Sequence, residues 1–369
     1  MMHKTIVTLA ALLTLAAGVW ACDSDPTQFG RPYQDVALDV AYGLDAALDA
    51  DAEAPFDVME RRDGDVQIEG DIARLDVARL DADAALIDAA ASWPYVAGQS
   101  YFSETGYIEF IAGDNAVIVS AAHGGYLKPD DIPERTGLVL RDHNTQELSR
   151  EFAEALFEAT GRRPHVIINL LARSKLDANR ELEDAAQGNA VAEAAWHEFH
   201  AFIDEAKDFA VENYSRALYL DVHGHSHEIE RVELGYLLSA NDLRRSDAVL
   251  DEARYSEASS VRRLAEDSAE RLSFSQLVRG PTSFGAYLEA RDFPSVPSPS
   301  QPAPASGDAY FSGGDNTRRH GSRDGGLVSG LQLEVNRSVR FSDSALLAFA
   351  KAMAAASAAY LAEHFQIVD

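Results

Sequence analysis

From Trp93 onward, short apolar bursts alternate with longer segments of helical period, and no other feature restricts the fold of this 369-residue chain so strongly. Ala116-Val117-Ile118-Val119, His165-Val166-Ile167-Ile168, Ala217-Leu218-Tyr219-Leu220 and Leu331-Gln332-Leu333-Glu334-Val335 have the length and apolar character of strands. Residues 147–160 carry apolar side chains at helical spacing and stop at Gly161, and residues 181–213 and 344–364 read as two further helices. Strands and helices alternating in this way bury a sheet beneath helices. The expectation is therefore an α/β fold with a mixed, mostly parallel central sheet flanked by helices. Residues 294–304 are rich in Pro and Ser and read as an irregular loop.

The chain ahead of Trp93 has a different texture. An apolar run from Ile6 to Trp20 follows Lys4 and is too short for a comfortable membrane span, which predicts a signal peptide over residues 1–21. It ends in Ala21-Cys22, and Cys22 is the one cysteine of the chain. The segment resembles the lipobox of bacterial lipoproteins, although Trp20 stands where a small or branched residue is usual. Lipidated Cys22 would anchor an exported protein to the periplasmic side of a cell-envelope membrane. Residues 23–92 hold 18 acidic and five basic side chains and few aromatics, so residues 22–92 are expected to form a disordered acidic tether ahead of a single domain over 93–369. A formal net charge of −28 excludes a phosphate-tracking role, because affinity for nucleic acid comes mainly from Lys and Arg.

Ligand sites of open α/β sheets lie at the carboxyl ends of strands, and here three strands carry ionisable residues. Val119-Ser120-Ala121-Ala122-His123-Gly124-Gly125 delivers His123 into a glycine turn. In Asp221-Val222-His223-Gly224-His225-Ser226-His227 the acid and the three imidazoles alternate along an extended chain and so point the same way. Imidazole is a common metal ligand, and a neighbouring Asp is the group that fixes its tautomer. Glu334 lies between Leu333 and Val335; a carboxylate desolvated there has a raised pKa and can take a proton from water as a general base.

The ordered set His123-Gly-Gly, Asp177-Ala-Asn179-Arg180, Asp221-Val-His223, Gly313-Gly314-Asp-Asn-Thr317-Arg-Arg-His320-Gly321 and Gln332-Leu-Glu334 resembles the N-formylglutamate amidohydrolase family, from about Ala116 to the C-terminus. That family is similar in fold to the zinc carboxypeptidases, a phosphorylase/hydrolase-like architecture. The resemblance implies one Zn2+ per chain held by His123 and His223, a substrate carboxylate gripped by Asn179 and Arg180, and Glu334 as base. Carboxypeptidases place a Glu ligand three residues after the first His, and that position is Tyr126 here. Glu134, Asp131 and Asp142 are the alternatives for the third ligand, with Glu134 favoured; a carboxylate would complete a His/His/acid set that leaves a position open, as a hydrolase requires.

Arg173, Arg180, Arg318 and Arg319 stand out in so acidic a chain, and Arg173 is placed with Arg180 in substrate binding. His320 is a candidate second acid or base. Trp196-His197-Glu198-Phe199-His200 lacks the spacing of a helical HExxH zinc motif and reads as helix surface. No serine-hydrolase elbow, P-loop or dinucleotide fingerprint occurs. The expected activity is zinc-dependent hydrolysis of an amide in a small N-acyl amino acid, γ-glutamyl or peptidoglycan-peptide substrate bearing a carboxylate. The alternatives are an inactive envelope lipoprotein that binds a ligand or metal, which would have no use for Glu334, and a metallocarboxypeptidase, weakened by the missing HxxE.

Overall fold

A computed structural model describes residues 93–367 of the chain; the expected signal peptide, the lipidated Cys22 and the acidic tether lie outside the described residues. Eight strands form one mixed sheet: β1 (Ser100–Phe102), β2 (Ile108–Ile111), β3 (Val117–Ala121), β4 (His165–Asn169), β5 (Ala217–His225), β6 (Val232–Gly235), β7 (Ser295–Val296) and β8 (Val328–Asn336). Their spatial order is β1-β2-β4-β3-β5-β8-β6-β7. The four central strands, β4, β3, β5 and β8, are mutually parallel. β2 and β6 run antiparallel on either side of them. The fold is thus α/β with a mostly parallel core.

The apolar bursts became central strands because a parallel sheet is covered on both faces. One face carries Val117, Val119, Leu218, Leu220, Leu331 and Leu333 against helices α1 (Thr145–Thr160) and, near the C-terminus, a long helix over Asp343–Tyr360. Continued through one further turn to Phe365, that helix is apolar and long enough to cross a membrane by length and composition, yet it contributes Phe349, Met353 and Tyr360 to the core. The opposite face packs Ile118, Ile167 and Tyr219 under Trp196, Phe199 and Ile203 of α2 (Ala190–Tyr214).

The second face changes character along the strands. Past Tyr219 its positions on β5 are Asp221, His223 and His225, and on β8 the residues paired with them are Gln332, Glu334 and Asn336. The chain leaves β3 through α1 to reach β4 on one side, then returns through α2 to reach β5 on the other. Such a reversal of strand order marks the usual place of a ligand crevice in open α/β sheets, here at the carboxyl ends of β3 and β5.

Two local expectations need correction. The helix expected over 181–213 is broken, because Gln187 and Gly188 take left-handed conformations at φ 50° and 82°, and Asn189 restarts α2 by accepting from the Ala192 N–H at 3.0 Å. The Pro- and Ser-rich loop contains the two-residue strand β7. Strands β1, β2, β6 and β7 escape sequence reading because they are two to four residues long and sit toward the sheet edges.

The turn after β3 is tightly seated. Gly125 bridges Ala172, and a Cβ on it would lie 2.2 Å from the Leu171 carbonyl oxygen. Backbone cannot move aside as a side chain can. Gly125→Ala is therefore expected to lower stability by about 1–3 kcal/mol, read as an earlier urea midpoint with an unchanged denaturant slope.

Candidate metal centre

His123 leaves the end of β3, and His223 lies two residues before the end of β5. Both are buried. Their Nδ1 atoms face each other at 3.0 Å. Asp142, in the segment that leads into α1, places Oδ2 at 3.3 Å from the first Nδ1 and 3.2 Å from the second. The Asp142 N–H donates to the His123 carbonyl at 3.1 Å, and the Gly224 N–H donates to Oδ2 at 3.2 Å, so backbone on both strands fixes this carboxylate.

The second nitrogen of each ring is equally well defined. His123 Nε2 lies 2.6 Å from Asp177 Oδ1, and His223 Nε2 lies 2.9 Å from Asp221 Oδ2. An ionised carboxylate only accepts, so each neutral ring carries its proton on Nε2 and turns a bare Nδ1 lone pair inward. With both rings neutral, three acceptors converge with no proton among them; in the metal-free protein the Asp221 and Asp142 carboxylates favour a proton on His223, which supplies the positive charge there. A tetrahedral ion with ligand bonds of about 2.0–2.1 Å separates its donors by about 3.3 Å. The observed triangle of 3.0, 3.2 and 3.3 Å fits that requirement, and histidines backed by carboxylates are the usual support of a zinc site. The donor set suits a borderline divalent ion.

The surrounding charges hold the acids ionised. Burial pushes Asp142 up, but hydrogen bonds from His123 and His223 bring it well below the usual range. Burial likewise opposes Asp177, which His123 and Arg173 lower strongly. For His223 burial favours the neutral ring, and the Asp221 and Asp142 carboxylates outweigh it. Asp221 is itself braced by the Ser120 hydroxyl at 2.6 Å and the Asn316 amide at 3.4 Å.

Glu334 pairs with His223 in the β5–β8 ladder, on the same face of the sheet. It is pushed up to about 8, chiefly by burial, with the neighbouring imidazole pulling the other way and Asp142 and Glu233 adding to the rise. Its Oε1 accepts from Gln332 Nε2 at 2.8 Å. This is a carboxyl poised to hold or release a proton beside the crevice.

Other expected site residues fall elsewhere. Glu134, favoured above as third ligand, has a side chain 56% exposed and pairs with Lys175 at 3.3 Å, whereas Asp142 stands between the imidazoles. Asp131 is exposed on the same excursion. Arg173 is buried and consumed by the acids, with Nε donating to Asp177 Oδ2 at 2.9 Å and Nη1 lying 3.8 Å from Asp142 Oδ1. It braces carboxylates rather than facing a substrate. Asn179 accepts from the Asn316 N–H at 2.7 Å and approaches His223 Nε2 at 3.3 Å. Arg180 keeps a side chain 41% exposed, with Asp177 3.9 Å away, and so retains a free guanidinium edge.

His320 closes the short helix α3 (Asp315–His320) and is buried against α2, its Nε2 2.8 Å from His200 Nδ1 and its Nδ1 3.4 Å from Asp204. Its partners belong to α2 and not to the imidazole pair. His200 is correspondingly buried, not on the helix surface, because it shares the inward stripe of Trp196, whose ring centroid is 4.1 Å away; His197 is exposed as expected. Asp177 was visible only as part of a motif, with no role. An acid four residues after Arg173 and two before Asn179 gave no periodic signal that it would meet His123.

No protein-family model and no curated protein matches the sequence. Among solved structures the chain is similar to N-formylglutamate amidohydrolase from Ralstonia eutropha JMP134, at 11% identity and a TM-score of 0.42, covering 68% of this chain and 96% of that one. It is similar also to a gene product of Agrobacterium tumefaciens, at 14% identity and a TM-score of 0.40, covering 70% of this chain and 96% of the other. Likeness at this level assigns no chemistry, which rests on the side chains themselves.

Proposed function

We propose that the protein is a metal-dependent hydrolase that cleaves an amide bond in a small substrate bearing a carboxylate. The observation that carries this reading is the buried triangle of His123 Nδ1, His223 Nδ1 and Asp142 Oδ2, with the buried carboxyl of Glu334 on the adjacent strand. His123, Asp142 and His223 would hold the ion, which when bound polarises a carbonyl and makes water acidic enough to attack near neutrality. Glu334, which a neighbouring positive charge favours in its ionised form, would take the proton of the attacking water and return it to the departing amine. Asp177 and Asp221 keep both imidazoles in the ligating tautomer. Arg180, half-exposed beside them, meets the substrate carboxylate. N-acyl amino acids, γ-glutamyl amides and peptidoglycan stem peptides share this pattern of an amide near a carboxylate.

The ligand assignment separates the two candidate acids. Asp142→Ala is expected to cost the protein the zinc of this centre, while Glu134→Ala keeps the full complement; elemental analysis after dialysis against zinc reads both. Retention of the ion by Asp142→Ala and its loss from Glu134→Ala would reverse the assignment.

Release of amine from a panel of these amides tests the activity. Glu334→Gln should lower turnover by about 10²–10⁴-fold while leaving zinc content unchanged, as expected of a proton carrier that is not a ligand. Equal turnover in the parent and the variant would remove the base from the mechanism, and no release from any amide would leave a metal-binding protein. Arg180→Ala should raise KM at least about tenfold on substrates with the free carboxylate and leave their methyl esters unaffected.

A further inference from the structure

A second set of metal-ligating side chains lies on the far side of Glu334. We propose that His225, His227 and Glu233 form a second divalent-cation site of the zinc class, separate from the centre at His123 and His223. One ligand atom from each of the three lies within 4.8 Å of the others. No residue is shared between the two sets.

Placement in the sheet makes the sites distinct. His223, Glu334 and Glu233 stand in one row across β5, β8 and β6, paired strand to strand. Neighbouring strands are about 4.8 Å apart, so the backbone of Glu233 is about 10 Å from that of His223 with Glu334 between them. Glu233 and Glu334 are opposed directly in an antiparallel ladder and both are buried. Like charges so placed repel, and a buried carboxylate needs a positive partner. Among the described residues the ion-pair partner of Glu233 is His227, with Nδ1 2.9 Å from Oε1. Its other oxygen accepts from the Phe311 N–H at 2.8 Å.

The imidazoles carry the ligating arrangement. His225 Nε2 donates to the Arg231 carbonyl at 2.8 Å, which makes Nδ1 the acceptor; its lone pair takes the His227 backbone N–H at 3.1 Å, the one hydrogen bond that a cation would have to displace. This is the tautomer logic of His123 and His223, with a backbone carbonyl in place of the supporting acid. His227 retains 22% side-chain exposure, which gives an ion access from solvent, and Phe311 stacks on its ring at 4.7 Å. Two imidazoles and one carboxylate form a borderline donor set, suited to zinc over magnesium or calcium. An ion there would neutralise Glu233 and tie the turn after β5 to β6.

The test is the zinc stoichiometry of the full chain, stripped with chelator and titrated with zinc chloride, in the parent, His123→Ala and the double variant His227→Ala with Glu233→Gln. The parent should bind about two zinc ions per chain, and each variant about one. His227→Gln alone keeps a donor toward Glu233 on a partly exposed side chain and guards against misfolding of the double variant; it should bind the second zinc at least about tenfold more weakly while the zinc-free protein still melts in one cooperative transition. A parent that binds a single zinc, lost in His123→Ala and kept in the double variant, overturns the second site and leaves the first standing. A single zinc lost only in the double variant refutes the first centre instead. A parent that binds none refutes both.

Discussion

Two imidazole nitrogens and a carboxylate oxygen meet inside the protein at hydrogen-bonding distances, and with both rings neutral none of the three brings a proton to the meeting. Such a convergence is unfavourable in a low-dielectric crevice unless positive charge stands within it. Much of the surrounding structure maintains that convergence. Asp177 and Asp221 hold the outer nitrogens, Ser120 and Asn316 hold Asp221, and Arg173 spans Asp177 and Asp142. Each layer fixes the one inside it, so the inner donors reach their geometry without reorganisation when an ion arrives.

The sheet makes this possible through a gradient along one face. On the α1 side the central strands are apolar throughout. On the α2 side they are apolar under Trp196 and Phe199 and become polar beyond Tyr219, where the strands outrun the helix packing. Polar groups placed there can be satisfied by one another and by the loops that follow β3 and β4, at little expense to the core. The reversal of strand order at β3 sends those loops to opposite sides, the usual setting of a ligand site in such sheets.

The same row of the sheet explains the setting of Glu334. It lies between an imidazole on one strand and a second carboxylate on the other, and burial raises it to about 8. A carboxyl with charged neighbours on both sides responds to whichever gains or loses charge. Occupation of either flank by a cation would therefore reach it electrostatically. His320, by contrast, is sequestered with His200 beneath α2, where burial holds both rings neutral.

The sequence by itself determined the class of fold and the inner pair of imidazoles. Strand bursts separated by helical segments leave few alternatives to a covered parallel sheet, and the period of two in Asp221-Val222-His223 makes acid and imidazole share a face. Glu334 was legible for the same reason, as an acid interrupting an apolar strand. Tertiary structure decided which acid joins the imidazoles. Glu134, Asp131 and Asp142 lie on one aperiodic excursion between β3 and α1, where local spacing constrains nothing. Asp142 is selected because the start of α1 is locked to the end of β3 by backbone hydrogen bonds. Arg173 and His320 followed the same rule in reverse: each was conspicuous in sequence, and each is consumed by partners such as Asp142 and His200 that only the fold brings within reach. Side-chain direction within a strand is a local property, whereas the pairing of charges across loops depends on contacts between distant segments.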